Sequence, residues 1–185
     1  MLHFYRNSLI FLFIVIPVSA SARSNKDADA IITMRNGQPC FSYPQYEEIQ
    51  KKPYSFDYLS VSKNGPVGGV GWEISIKDYD RKGLLEPNSP ETCIEYGVLN
   101  PGMKEKQAAK PLQSDTPYQV FISVSEAPGG RNSYGRKFAA DFCISRNEKG
   151  EPILVGASGG GTGDWRCLKP GESKNRGFWQ RLFGK

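Results

Sequence analysis

The sequence predicts an all-β fold, an antiparallel β-sandwich of immunoglobulin-like or partly open barrel type, with short hairpins and disulfide links. Apolar and polar residues alternate with period two in three segments, turn-forming residues separate short apolar runs, and the 185-residue chain contains four cysteines. The content of 38% hydrophobic, 12% aromatic and 23% charged residues is typical of one ordered globular domain. We therefore expect a single β-sandwich domain over residues 23–168.

The predicted strands follow from alternation, because successive side chains of a strand point to opposite faces of the sheet. The clearest alternation covers residues 72–77, 118–125 and 138–145. Weaker strand candidates are residues 31–34, 40–43, 58–62, 92–98, 153–155 and 165–168. The one helix that the sequence predicts is a short, polar segment around residues 104–110.

The connections between these segments contain residues that favour turns. Asn36-Gly37 lies between two short apolar runs and predicts a type I′ hairpin, in which both central residues have positive φ. Asn64-Gly65-Pro66 and Glu148-Lys149-Gly150 are turn signals of the same kind.

The first 22 residues predict a cleavable secretory signal. Arg6 lies in a short polar start, residues 9–18 carry no charge, and Ala20-Ser21-Ala22 supplies the small residues before a cleavage site. The alternative, an uncleaved anchor, is disfavoured because a ten-residue helix spans only about 15 Å. The first cysteine is Cys40, so no lipidated cysteine follows the apolar run. We expect a soluble periplasmic protein with no stable membrane anchor.

The four cysteines, Cys40, Cys93, Cys143 and Cys167, predict two disulfides. Their number is even, and their spacing does not resemble a metal or redox motif. Three pairings are open, with a slight preference for Cys40 with Cys93 and Cys143 with Cys167. Each of the first three alternates with an apolar neighbour, so we expect the disulfides on outer faces or edges of the sheets.

Histidine is absent after the signal, because His3 is the single histidine of the chain. This excludes Ser-His-Asp and Cys-His catalysis and His-ligated zinc in the mature domain. The 24 basic residues include Arg6 of the signal and face 19 acidic ones, which leaves a mild net charge of +4 that does not indicate nucleic-acid binding.

Motifs that resemble catalytic or ligand sites are better explained by ordinary structure. The GxSxG match at residues 156–160 lacks a base and a following helix, and the glycine-rich run 156–163 lacks the Gly-Lys-Ser/Thr of a phosphate loop. Ser60 and Lys63 have the spacing of a Ser/Lys dyad, but a strand would point them to opposite faces. Residues 78–89 resemble a calcium loop but end at Ser89, where an acidic ligand is required.

Carboxylate catalysis has candidate residues but no selected pair. The acidic residues available are Glu47, Glu48, Asp57, Glu73, Asp78, Asp80, Glu95, Asp141 and Asp164. A glycosidase needs two of them at a suitable separation, and nothing in their spacing selects two. We assign no catalytic residue, no metal site and no cofactor.

The C-terminal segment 169–185 is basic and aromatic. Phe178 and Phe183 are interleaved with Arg181, and Trp179 belongs to the same apolar face of a short predicted helix. One interpretation is a final turn that packs on the sandwich. The other is a segment that docks a partner or an acidic membrane surface, and we take these four residues as candidate partner-binding residues.

Five segments resemble a family of small exported enterobacterial-type proteins described as type VI secretion immunity periplasmic proteins, many of them lipoproteins. The segments are Asn36 to Ser42, Cys93 to Gly97, Lys110 to Gln113, Tyr118 to Ile122 and Phe142 to Ile144. The resemblance covers roughly residues 31–155. The chain departs from the family in lacking the lipidated cysteine and in extending through Cys167 and the basic tail.

The resemblance implies a periplasmic protein that binds a toxic secreted effector and blocks its site. The predicted function is therefore that of an immunity or inhibitor protein, which is not an enzyme and whose partner is a cognate effector protein. Two alternatives belong to other classes. One is a structural or envelope-associated β-sandwich that binds a cell-wall or pilus component, and the other is a carboxylate-dependent hydrolase of envelope glycans.

Overall fold

The computed structural model describes residues 28–45, 54–65, 68–77, 83–126, 135–159 and 164–172. In these ranges the protein is all-β and forms two sheets. The strands are β1 (Ala28–Asp29), β2 (Ile31–Arg35), β3 (Gln38–Ser42), β4 (Tyr54–Lys63), β5 (Val70–Ile76), β6 (Ile94–Glu95), β7 (Met103–Gln107), β8 (Tyr118–Glu126), β9 (Arg136–Arg146), β10 (Pro152–Ser158) and β11 (Arg166–Cys167).

The larger sheet contains eight strands, seven of them in the order β11-β10-β9-β8-β4-β5-β7. All neighbours in this order are antiparallel. The eighth strand, β1, pairs in parallel with the first half of β9, beside the half that pairs with β10. The smaller sheet has three antiparallel strands in the order β2-β3-β6. Both sheets are open within the described residues, which confirms the predicted antiparallel β-sandwich.

Aromatic side chains fill the space between the two sheets. Phe41 of the small sheet lies 5.6 Å from Phe142 of the large sheet, measured between ring centroids, and Tyr43 stacks on Phe138 at 5.3 Å. Trp72, the largest buried side chain, contacts Tyr96 at 5.1 Å. Burying aromatic area of this kind is a dominant favourable contribution to folding, so these contacts fix how the sheets pack.

The three clearest strand predictions are confirmed as β5, β8 and β9. The predicted strands 92–98 and 165–168 are shorter than expected, since pairing is limited to β6 and β11. The hairpin at Asn36-Gly37 is also confirmed, with φ of 51° and 77°.

The helix predicted around residues 104–110 is wrong, because residues 103–107 form the edge strand β7. Met103 is buried, and the chain pairs with β5 from Glu73 to Ile76. Pairing satisfies backbone groups of β5 that a helix at this position would leave without partners. The exposed residues 104–106 alternate in charge, which discourages pairing with a further strand at this edge.

The disulfides join Cys40 to Cys93 and Cys143 to Cys167. Cys40 is next to the core residue Phe41, and Cys143 is next to the core residue Phe142. Neighbouring side chains of a strand point to opposite faces, so both cysteines point away from the core that lies between the sheets, as predicted. Both are nevertheless fully buried, and Cys143 belongs to a small second cluster with Val155 and Ala157. Two disulfides are typical of proteins that fold in oxidising compartments.

Two predicted segments lie outside the described residues. These are the signal, residues 1–22, and the part of the tail that contains Phe178, Trp179, Arg181 and Phe183. Within the described ranges, the protein has no helix that is long and apolar enough to cross a membrane.

Candidate binding cleft

An open cleft of about 680 Å³ lies at one end of the sandwich. It separates the small sheet from the β9–β10 hairpin, and its floor is the segment between β7 and β8, residues 108–117, which we call the strap. We call the opening the strap cleft. It is lined by Gly37, Gln38, Glu95, Tyr96, Gly97, Val98, Ala109, Lys110, Pro111, Leu112, Ser114, Ile144, Ser145, Arg146 and Pro152.

Hydrogen bonds from both sheets hold the first half of the strap. The Tyr96 hydroxyl donates to the carbonyl oxygen of Lys110 at 2.7 Å, and the Lys110 amide donates to the carbonyl of Gly71 at 3.1 Å. The amide of Gln113 donates to the Tyr118 hydroxyl at 2.9 Å. Backbone groups of the strap that have no strand partner are thus satisfied by the hydroxyls of two buried tyrosines. Tyr96 donates to a carbonyl, and Tyr118 accepts from an amide.

Burial raises the pKa of Tyr96 to about 12, and the nearby Tyr118 adds to the effect. The ring lies against Trp72 and contacts Phe41 edge-on at 6.5 Å between centroids. Desolvation disfavours the phenolate, so Tyr96 remains a hydrogen-bond donor over the whole physiological pH range. The donor that holds Lys110 is therefore permanent under these conditions.

The second half of the strap is held by β9. The amide of Asp115 donates to the carbonyl of Ile144 at 2.8 Å, and the Ser145 hydroxyl donates to the Asp115 carboxylate at 2.8 Å. Asp115 has a φ of 54°, a left-handed conformation that Asp adopts more readily than most residues. The strap is consequently fixed at both ends and presents a defined surface to the cleft.

A smaller opening of about 280 Å³ lies on the other side of the strap. We call it the strap pocket. It shares Tyr96, Lys110, Pro111 and Leu112 with the strap cleft. Its remaining lining residues are Lys63, Gly69, Val70, Gly71, Gln113 and Tyr118.

Exposed apolar residues stand beside the strap cleft. Val98 lines it and is 44% exposed, and the adjacent Leu99 is 48% exposed. Leu85, 45% exposed, lines neither opening. Apolar side chains next to a concave surface are typical of sites that bind other molecules.

The segments that carry the family resemblance converge on these two openings. Segments 36–42, 93–97, 110–113 and 142–144 each contribute lining residues to the strap cleft, and Tyr118 of the fifth segment lines the strap pocket. These segments are far apart in the chain, and the fold brings them to one end of the sandwich.

Ser60 and Lys63 are placed as predicted, whereas Gly156 to Ser158 continue strand β10 and do not belong to the predicted loop. Ser158 is the last residue of β10, and Ser60 and Lys63 lie on opposite faces of β4, where Ser60 pairs with Phe121 and Lys63 with Tyr118. The glycine run and the calcium-like loop both fall partly outside the described residues.

Four of the described candidate carboxylates have separate polar partners. Asp57 accepts from Ser125 at 3.0 Å, and Asp141 accepts from Gln119 at 2.9 Å. Glu73 pairs with Lys106 at 3.8 Å. Glu95, which lines the strap cleft, accepts from Asn36 at 3.2 Å. Glu47, Glu48, Asp78 and Asp80 lie outside the described residues.

Sequence reasoning did not select Tyr96, Lys110 or Tyr118 as site residues. Tyr96 and Lys110 belong to segments of the resemblance, and the exposed pair Val98-Leu99 directly after Tyr96-Gly97 was a further signal. The spatial neighbours Lys63 and Arg146 have no such local signal, because β4 and β9 place them there.

Among the described residues, no group of three or more His, Cys, Asp or Glu side chains could hold a metal ion. Comparison with known proteins finds no matching family model, no matching curated protein and no matching solved structure.

Proposed function

We propose that this protein is a periplasmic immunity protein that binds a secreted toxic effector and blocks its site by occlusion. The observation that supports this proposal most strongly is the convergence of the resemblance segments on the strap cleft and strap pocket. The same segments also supply core residues, among them Phe41 and Phe142, so the support comes from those of their residues that line the two openings.

The physical character of the cleft suits a macromolecular partner. The opening is wide, and polar residues such as Arg146 adjoin exposed apolar residues such as Val98. Protein interfaces combine an apolar centre with a polar rim in this way. The strap is fixed by hydrogen bonds, so binding would order little backbone and would cost little conformational entropy.

The test is protection of living cells. A deletion strain is complemented with wild type, Val98→Arg or Leu85→Arg, and each strain is challenged with effector-delivering sister cells. Val98 and Leu85 have nearly equal exposure, so the second variant controls for adding an arginine to an exposed apolar position. We expect wild type and Leu85→Arg to protect and Val98→Arg to fail, with loss of effector co-purification.

Two results would contradict the proposal in different ways. If the deletion strain is not sensitive and no effector is retained by the purified protein, the immunity function is wrong. If Val98→Arg protects as well as Leu85→Arg, the immunity function stands and the strap cleft is not its binding surface.

A further inference from the structure

The strap pocket is lined by hydrogen-bond donors and contains no carboxylate among its lining residues. Lys63 and Lys110 are both exposed. Among the described residues, neither lysine forms an ion pair. The Lys63 ammonium donates to a neutral acceptor, the Gln113 side-chain oxygen, at 3.4 Å.

The strand register brings Lys63 beside Tyr118. The two residues are direct partners in the antiparallel pairing of β4 and β8, so their side chains leave the same face of the sheet. Lys110 faces the same pocket from the strap, three residues before Gln113, whose amide bonds to Tyr118. Lys63, Lys110 and Tyr118 thus border one small volume.

The hydroxyl proton of Tyr118 is still available for donation. Tyr118 is 5% exposed, and its oxygen accepts the Gln113 amide proton at 2.9 Å. A phenol can also donate its own proton, and no acceptor for that proton is found in the described part of the chain. A buried donor of this kind favours an acceptor supplied by a bound molecule.

We propose that the strap pocket binds a carboxylate side chain of the partner protein, an Asp or Glu seated between Lys63 and Lys110 and accepting the Tyr118 proton. This inference rests on the proposed function, because it names the chemistry of the bound effector surface. Hydrogen bonds to an ionised carboxylate are about twice as strong as those between neutral groups.

The walls of the pocket favour an amino-acid side chain over an inorganic anion. Val70 and Leu112 line the pocket together with the two lysines. They offer apolar contact to the methylene groups of a Glu side chain, whereas inorganic phosphate has no apolar part. The volume of about 280 Å³ is large enough for one side chain and too small for a folded element.

Charge also affects how the partner arrives. Without the predicted signal the chain carries a net charge of +4, and lysines without an ion pair at an open site attract an acidic surface over a distance of about one Debye length, roughly 8 Å at physiological salt. Such charges mainly raise the association rate and select the register of binding. The partner surface that meets the strap pocket should therefore carry an acidic residue.

The test uses the full chain and a defined probe. Isotope-labelled protein is titrated with the peptide acetyl-Leu-Glu-Leu-amide and, as an isosteric control, with acetyl-Leu-Gln-Leu-amide, and amide shifts are followed by NMR. We expect the Glu peptide to shift the amides of Lys63, Lys110, Gln113 and Tyr118. The Kd of the Gln peptide should be at least about tenfold higher.

Variants then assign the effect to the two lysines. The double variant Lys63→Met and Lys110→Met keeps the aliphatic stems and should bind the Glu peptide no better than the Gln peptide. Lys77→Met, an exposed lysine that lines neither opening, should bind as wild type does. Both variants alter exposed side chains and should leave the amide spectrum of the free protein otherwise unchanged.

Three results of the peptide titration would overturn the inference. They are equal binding of the two peptides, absence of strap-pocket shifts at peptide concentrations up to about 10 mM, and displacement of the Glu peptide by inorganic phosphate at lower concentration than by acetate. If the cognate effector binds the double lysine variant with unchanged affinity, the inference fails while the immunity function stands. If no effector exists, the peptide titration still decides whether the pocket takes a carboxylate.

Discussion

Replacing Tyr96 by Phe should loosen the strap without disturbing the core. The change removes one hydroxyl, which donates to the Lys110 carbonyl at 2.7 Å, and keeps the ring that packs on Trp72 and Phe41. The core contacts are retained, so the effect should be confined to the strap and to the two openings that it separates.

The magnitude follows from what becomes of the Lys110 carbonyl. A hydrogen bond contributes about 0.5–1.5 kcal/mol net, and a carbonyl left buried without a partner costs about 1–3 kcal/mol. Lys110 borders two open cavities, so water can reach its carbonyl and the cost lies near the lower limits. We expect a loss of about 1 kcal/mol in the free energy of unfolding and a fall in Tm of about 2 to 4 °C.

The assay combines urea unfolding with hydrogen exchange. The Lys110 amide bonds to Gly71, so its exchange rate reports directly on the strap and should rise in the variant. Tyr58→Phe is the matched control, because the Tyr58 ring contacts Phe121 and its hydroxyl makes no hydrogen bond with the described residues. The control should unfold within about 0.5 kcal/mol of wild type.

A loss below about 0.5 kcal/mol in Tyr96→Phe, with unchanged exchange at Lys110, would refute this reasoning. The strap would then be held by its other hydrogen bonds, from Gln113 to Tyr118 and from Asp115 to Ile144. An equal loss in the Tyr58 control would show that removing any tyrosine hydroxyl destabilises this protein.

Three further predictions concern stability. Replacing Cys143 and Cys167 together by Ala removes a disulfide between residues 24 apart. The free energy of unfolding, measured with urea without reductant, should fall by about 3.5 kcal/mol, and a fall below about 1 kcal/mol would contradict this. Gly37→Val places a β-branched residue at a φ of 77° and should cost about 1–2 kcal/mol in thermal unfolding, so an unchanged Tm would exclude strain at this turn. The pKa of Tyr96 is raised to about 12 in the folded protein, so the unfolded chain releases this proton first, and stability should fall as pH rises from 10 to 12, by up to about 1.4 kcal/mol per pH unit. The Tyr96→Phe variant should lack that part of the fall, and equal slopes for the two proteins would contradict the assignment.

The strands could be predicted where one face is buried and the other is not. In β5 the buried Trp72 and Ile74 alternate with the half-buried Glu73, which is the pattern that the sequence contains. Strand β7 was not predicted because it is an edge strand. Its residues 104–106 are exposed on both sides, so apolar and polar residues do not alternate in its sequence. Strand β1 is two residues long and too short for a periodic signal.

The site could be predicted only in parts. The individual segments around Tyr96 and Lys110 stood out in the sequence, but their common location depends on the pairing of β3 with β6 and on the path of the strap. The role of Lys63 follows from its register with Tyr118, which is a long-range property of the sheet. Long-range register leaves no trace in local composition, so it had to come from the structure.

The order of the disulfides along the chain has a consequence for oxidative folding. Each bond joins neighbouring cysteines in the sequence, Cys40 to Cys93 and Cys143 to Cys167, so neither loop encloses or crosses the other. If the N-terminal part of the chain is exported first, Cys40 and Cys93 can form their disulfide before Cys143 reaches the oxidising compartment. The pairing of Ala28 with Phe138 has to wait much longer and closes a far larger loop. Recovery of active protein should therefore depend on the oxidant that forms disulfides and very little on an isomerase that rearranges them.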